Sequence, residues 1–249
     1  MIPETLGQRL HLIAFGAVLS FGLVASTWIG SSAFERVKRS GQSITVKGYA
    51  EQKITSDYGA WRGRFAVRGG DLVATYEKLT HDLQTVKAWL QKQGVAENAI
   101  EATPVSTEAQ YVRTSDGSLT NQIEGYVLTQ SVDVEGSDIA LIAKISKEST
   151  GLIRDGIAFE SDRPKFFYTK INDLKIEMLA EATKDARVRA EQLASNSGNS
   201  HVGSLVSAEQ GVFQITSVHS TDVSGYGELD TESIFKSIKA IVTISYGIE

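Results

Sequence analysis

The sequence predicts an α+β fold: a mainly antiparallel sheet with two or three packing helices, preceded by one N-terminal transmembrane helix. Three observations carry this expectation. Segments of period two arrive as adjacent pairs rather than in strict alternation with helices, in the coarse order ββαββαβαββ. Two segments hold long apolar stripes at helical spacing. The run from Leu10 to Ile29, LHLIAFGAVLSFGLVASTWI, contains no Lys, Arg, Asp or Glu. The chain thus divides into a short tail over 1–9, a membrane anchor over 10–29, a linker over 30–42 and a body over 43–249.

As a helix, the run spans about 30 Å at about 1.5 Å per residue, the thickness of a bilayer core. Leu10, Leu12, Ile13, Phe15, Val18, Leu19, Phe21, Leu23 and Val24 would face lipid, and Trp28 would sit at the interface. The alternative is a cleaved signal peptide, because Ser31 and Ala33 fit the small-residue rule for cleavage after Ala33. Arg36, Lys38 and Arg39 follow the segment and only Arg9 precedes it. By charge alone, the body would lie in the cytoplasm.

Ser43–Ala50, SITVKGYA, alternates as a strand does. Tyr58–Arg68 follows, with Trp61, Phe65 and Val67 on one face and Arg62, Arg64 and Arg68 on the other. After the Gly69-Gly70 turn, Asp71 can cap a helix whose stripe is Leu72, Tyr76, Leu79, Leu83, Val86 and Leu90, ended by Gly94. Ile100–Arg113 and Gln122–Glu135 read as a hairpin with Asp116-Gly117 at its turn. A short helix starts at Ser137 or Asp138, with Ile139, Ile142 and Ile145 inward, and Gly156–Ser161 is a short strand.

A long helix is expected from Phe167 to Asn196. Its buried face is Ile171, Leu174, Met178, Ala182, Ala186, Ala190, Leu193 and Ala194, and Ser197-Gly198 stops it. The four alanines form a narrow ridge that would let the helix lie close to a sheet. Strands are expected over His201–Ser217 and Lys239–Ile248, separated by a polar, glycine-rich loop over 219–233. That loop is a candidate interface or pore-lining element, and deletion of 221–230 is expected to leave the fold intact.

Composition narrows the function classes. The chain has 249 residues, no cysteine and four histidines (His11, His81, His201 and His219). Disulfides, thiol nucleophiles and Cys-based metal sites are therefore excluded. Net charge is −5, and residues 1–40 carry +2 against −7 for the rest. A body this acidic has no general attraction for phosphate backbones, so no nucleic-acid partner is expected. No G-x-S-x-G elbow occurs, Gly225-Tyr226-Gly227 lacks the context of a nucleotide fingerprint, and acidic pairs such as Asp71/Asp82 have no histidine partner. The expectation is a non-catalytic protein with no cofactor and no metal.

Several segments in order resemble one known family. ITVKGYAEQKITSDYG places Gly48 and Asp57 where that family has its I-x-V-x-G segment and a following acidic residue, with Ser56-Asp57 replacing the commoner Pro-Asp. LQKQGV carries Gly94, IEGYVLTQSVDV carries Gly125 and Tyr126, and AEATKDARVRAEQLASNSG carries Ala182, Ala186, Ala190, Ala194 and Gly198. AIVTISYGI completes the set. The body, about 43–249, thus resembles the SIMPL-domain family of bacterial envelope proteins.

The resemblance implies export to the periplasm or outer envelope, and for some members large ring-, channel- or cage-like homo-oligomers with roles around envelope or oxidative stress. It brings no catalytic residues. It also implies a body in the periplasm, tethered by a single pass through the inner membrane, against the charge count around the anchor. The expected partners are further copies of the chain and the bilayer through 10–29. The alternative is an exported monomeric or dimeric module that binds a protein or peptide.

Overall fold

The computed structural model describes residues 16, 20–24, 26–29, 31, 42–198, 200–220 and 224–248. The chain divides into two units. One comprises the described residues of Met1–Ala50, Glu177–Gly211 and Ala240–Glu249, and the other Glu51–Ile176 and Val212–Lys239. The fold is α+β, as the strand pairing pattern predicts.

The larger unit is built on a six-stranded sheet. Its centre is β2 (Tyr58–Gly69) against β5 (Leu119–Gly136), antiparallel and in unbroken register from Gly59 opposite Gly136 to Gly69 opposite Tyr126. Two short strands, β3 (Ile100–Ala102) and β4 (Ser106–Arg113), pair with β5 on its other side. Two more, β6 (Ala158–Ser161) and β7 (Lys165–Phe167), pair with β2. The alternation in β2 has the expected sense: Trp61, Phe65 and Val67 are buried.

Two helices of this unit supply core. Helix α1 (Leu72–Gln93) is N-capped by the Asp71 carboxylate, which accepts from the Ala74 N–H at 2.8 Å. It ends at Gly94, whose φ of 105° is the left-handed C-cap conformation. Helix α2 (Ile139–Glu148) is capped by Asp138 and buries Ile142 and Ile145. Leu79, Val86 and Leu90 of α1 and these isoleucines join Phe65, Leu128 and Val132 in one apolar cluster. Trp61 stacks on Phe159 and donates its indole N–H to Ser161 Oγ at 2.9 Å, so its single polar atom is satisfied.

Four sequence expectations shift here. Leu72 and Tyr76 are exposed, since the first turns of α1 bury Thr75 instead. The strand expected over 100–113 is broken into β3 and β4 around Pro104, which has no N–H for the ladder. There Thr103 takes over, its N–H donating to Ser131 O at 2.9 Å. Helix α3 (Ile171–Asn196) begins four residues later than the expected start at Phe167, because Phe167 belongs to β7. The polar stretch 219–233 is not featureless: β10 (Glu228–Leu229) pairs in parallel with β9 (Gln214–Ser217).

The smaller unit carries the first half of β1 (Ser43–Thr55), β8 (Val202–Gln210), the second half of β11 (Phe235–Ile248) and most of α3. Strand β11 lies between β1 and β8, antiparallel to β8. The single strand expected over 201–217 is therefore two strands, because the chain leaves the ladder at 211–213. Met178, Ala182, Ala186, Ala190 and Ala194 are buried, as the ridge predicts, but Leu193 is half exposed.

Among the described residues no helix is long and apolar enough to cross a membrane. Leu10, Leu12, Ile13, Phe15, Val18 and Leu19 lie outside the described residues. Phe21, Leu23, Val24 and Trp28 are helical and between two-thirds and four-fifths exposed.

Candidate functional site

The residues singled out by motif gather at three structural nodes. The first is where α3 lies on β1. A Cβ built on Gly48 would stand 2.0 Å from Ala182 O and 2.7 Å from Ala186 Cβ, so this strand position has no room for any side chain. The small residues are explained together: the alanines bring the helix backbone in, and the glycine receives it. Beside this contact, the Tyr49 N–H donates to Asp185 Oδ2 at 2.8 Å, and Arg189 Nε donates to the same oxygen at 2.7 Å. The Tyr49 N–H is the main reason the Asp185 carboxyl is held below the usual carboxylate range, with burial opposing and Arg189 adding to it.

The second node is Asp57, in the turn between β1 and β2. Its N–H donates to Phe167 O at 2.9 Å. Its carboxylate accepts from the Thr169 N–H at 2.7 Å and the Thr169 hydroxyl at 2.8 Å. Asp57 thus clasps the β1–β2 turn to the segment leading into α3.

The third node was not legible in the sequence. Lys236 on β11 is 2% exposed, and its ammonium donates to Phe166 O at 2.6 Å and to Asp230 O at 2.5 Å. Burial pushes its pKa down, while the charge of Asp230 pulls it back up. Burial raises the pKa of Asp230, but Ser233, the Glu232 N–H and Lys236 outweigh this and leave it lowered. Because Asp230 also accepts from the N–H groups of Glu232 and Ser233, deletion of 221–230 would remove a cap and a lysine partner together.

The remaining motif glycines are also structural. Gly125 faces Gly69, where a Cβ would lie 2.6 Å from Gly69 O. Tyr126 is half-buried against the core cluster. Gly198, with φ 142°, follows the end of α3. Two of the three arginines of β2 meet acids across strands, which one strand read alone cannot reveal. Arg62 forks onto Asp133, its register partner, at 2.6 and 2.8 Å, and Arg64 approaches Glu160, also its register partner, at 3.8 Å. Among the described residues no three His, Asp or Glu side chains converge as a metal site.

Residues 44–230 match the family SIMPL, described as a protein of unknown function (DUF541). The chain belongs to the SIMPL family. The match takes in Gly48, Asp57, Gly94, Gly125 and the alanine ridge, and it ends before β11. No curated protein matches the chain. In this SIMPL domain Gly48 and Gly125 are places of close backbone approach, Asp57 fastens a turn, and Gly94 and Gly198 follow helix ends.

Proposed function

We propose that this SIMPL protein is a non-catalytic, membrane-anchored envelope protein whose body self-assembles into a large ring-, channel- or cage-like homo-oligomer, serving the response to envelope or oxidative stress. The body would lie in the periplasm, tied to the inner membrane by residues 10–29.

The observation that carries the reading is β8. It pairs with β11 alone among the described strands, and seven of its nine residues, Ser204–Gln210, are exposed. Leu205 and Val206 are each 59% exposed, at a point where the β8–β11 register shifts by one residue. Soluble proteins blunt such edges with lysine or proline, and this strand has neither. An edge that exposes two neighbouring apolar residues is suited to adding a strand from another copy. The anchor reading draws on the uncharged 20-residue run and on the exposed helical Phe21, Leu23, Val24 and Trp28.

The test is the mass of the full chain extracted in mild detergent, by light scattering and single-particle imaging. A discrete closed species many times the 27.0 kDa chain mass is expected. A monomer or dimer would overturn the assembly and leave the exported binding module, with a cleaved leader, as the reading to pursue.

A further inference from the structure

Independently of assembly, we infer that the larger unit binds a small apolar monocarboxylate. The site is a cleft of about 570 Å³ where the end of β1, the start of β11 and the chain leaving β9 meet. That volume falls within the range of small-molecule sites, roughly 300–1,000 Å³. Ile54, Val218, Ile234 and Phe235 make its apolar lining. Phe235 is 65% exposed, a large apolar ring left in water beside a concave surface.

The walls are held by backbone hydrogen bonds of the lining residues and their neighbours. The Ser56 N–H donates to Ile234 O at 2.9 Å, fixing the start of β11 to the end of β1. Ser217 is in register with Lys236, whose ammonium is itself tied to Phe166 and Asp230. The Ser220 N–H closes the turn after β9 onto Ser217 O at 3.0 Å. A cleft fixed on three sides does not have to be ordered at the moment of binding.

Charge selects the ligand. Lys53 is the lone Lys, Arg, Asp or Glu in the lining, although acids outnumber bases in the chain by 30 to 25. Its ammonium makes no hydrogen bond or ion pair among the described residues, and His219 adds a ring donor nearby. An adjoining cavity shares His219 and carries Glu228, Asp230 and Glu232. There Asp230 is already spent on caps, and Glu232 pairs with Arg163 at 3.3 Å. The free cation therefore sits on the apolar side and the carboxylates on the far side. A ligand with an apolar body and one carboxylate would place its ring against Phe235 and its charge at Lys53, away from the acids.

The probes are 2-naphthoate and 2-naphthylmethylammonium, which share a ring system and differ in charge. They are titrated by probe fluorescence into the full chain in bilayer discs, with empty discs as the blank. Naphthoate should bind at one equivalent with a Kd of about 1 mM or tighter, as expected for a ligand of this size. The ammonium should bind at least fivefold more weakly. Lys53→Glu should weaken naphthoate at least fivefold and remove the preference for the anion, with Lys53→Gln intermediate. Phe235→Ala should weaken both probes. All three variants change exposed side chains, and circular dichroism checks that they fold. Equal binding of the two probes, or naphthoate binding unchanged in Lys53→Glu, would overturn the assignment.

Discussion

Asp57 holds Thr169 with both carboxylate oxygens, one on the N–H at 2.7 Å and one on the hydroxyl at 2.8 Å, across 112 residues of chain. Asp57→Ala loses both bonds and should cost about 1–3 kcal/mol. Asp57→Asn keeps one acceptor oxygen and should lose less. Chemical denaturation of the two variants checks the order. Equal stability of Asp57→Ala and the parent would show that the clasp contributes nothing.

Gly48→Ala should be among the most damaging single-methyl changes available in the smaller unit. The added carbon would meet Ala182 O at 2.0 Å and Ala186 Cβ at 2.7 Å, and the first of these is backbone that has to move. Overpacking of this kind costs about 1–3 kcal/mol. Thermal unfolding should show the loss in Gly48→Ala, while Gly151→Ala, where nothing stands within 4 Å of the added carbon, should leave the midpoint nearly unchanged.

The pH dependence of stability follows from Asp185. Its pKa is lowered in the folded chain, first through the Tyr49 N–H, so below the ordinary aspartate value the unfolded chain binds the proton more readily. The stabilisation is fully present above about pH 3.9 and is lost as pH falls through the folded value. Asp230 is lowered too and acts in the same direction. Urea midpoints should fall with pH below about 4. Asp185→Asn, which cannot titrate, should fall less steeply, and parallel curves for the two proteins would refute the assignment.

Leu205→Lys combined with Val206→Lys should reduce assembly and spare the fold. Both side chains are more than half exposed, so the monomer loses little packing, while a charged edge repels an incoming strand. Light scattering in detergent should show a smaller particle, with circular dichroism unchanged. An unchanged particle mass would remove β8 from the contact.

Lys236→Met should destabilise by about 1–3 kcal/mol, because Phe166 O and Asp230 O lose a shared donor inside the protein. The change also removes a buried charge, which offsets part of that loss. Denaturant unfolding measures the difference, and a variant as stable as the parent would mean the two effects cancel.

Helix ends and the alanine ridge were legible in the sequence because they depend on local pattern, although Leu72, Tyr76 and Leu193 of the expected stripes are exposed. Asp71 and Gly94 bound their helix as capping chemistry requires, and Ala182, Ala186, Ala190 and Ala194 face inward at the spacing of one helix turn. The sequence could not reveal what depends on partners far along the chain. Asp57 reads as a lone acid until Thr169 is placed beside it. Arg62 reads as part of a basic face until register sets Asp133 opposite. Lys236 follows an exposed phenylalanine in a strand and gives no local sign that it is buried. The cleft at Phe235 was invisible for the same reason, since its walls come from three separated segments.

Thr45 and Ser245 share a hydrogen bond at 2.8 Å across 200 residues. A ribosome adding about 5–20 residues per second needs roughly 10–40 s to travel that distance. For all of that time β1 exists without its neighbour β11, and the helix ridge that fills Gly48 is itself made late. The first strand to be synthesised is thus among the last to be completed, and for tens of seconds of every synthesis it depends on whatever receives the growing chain.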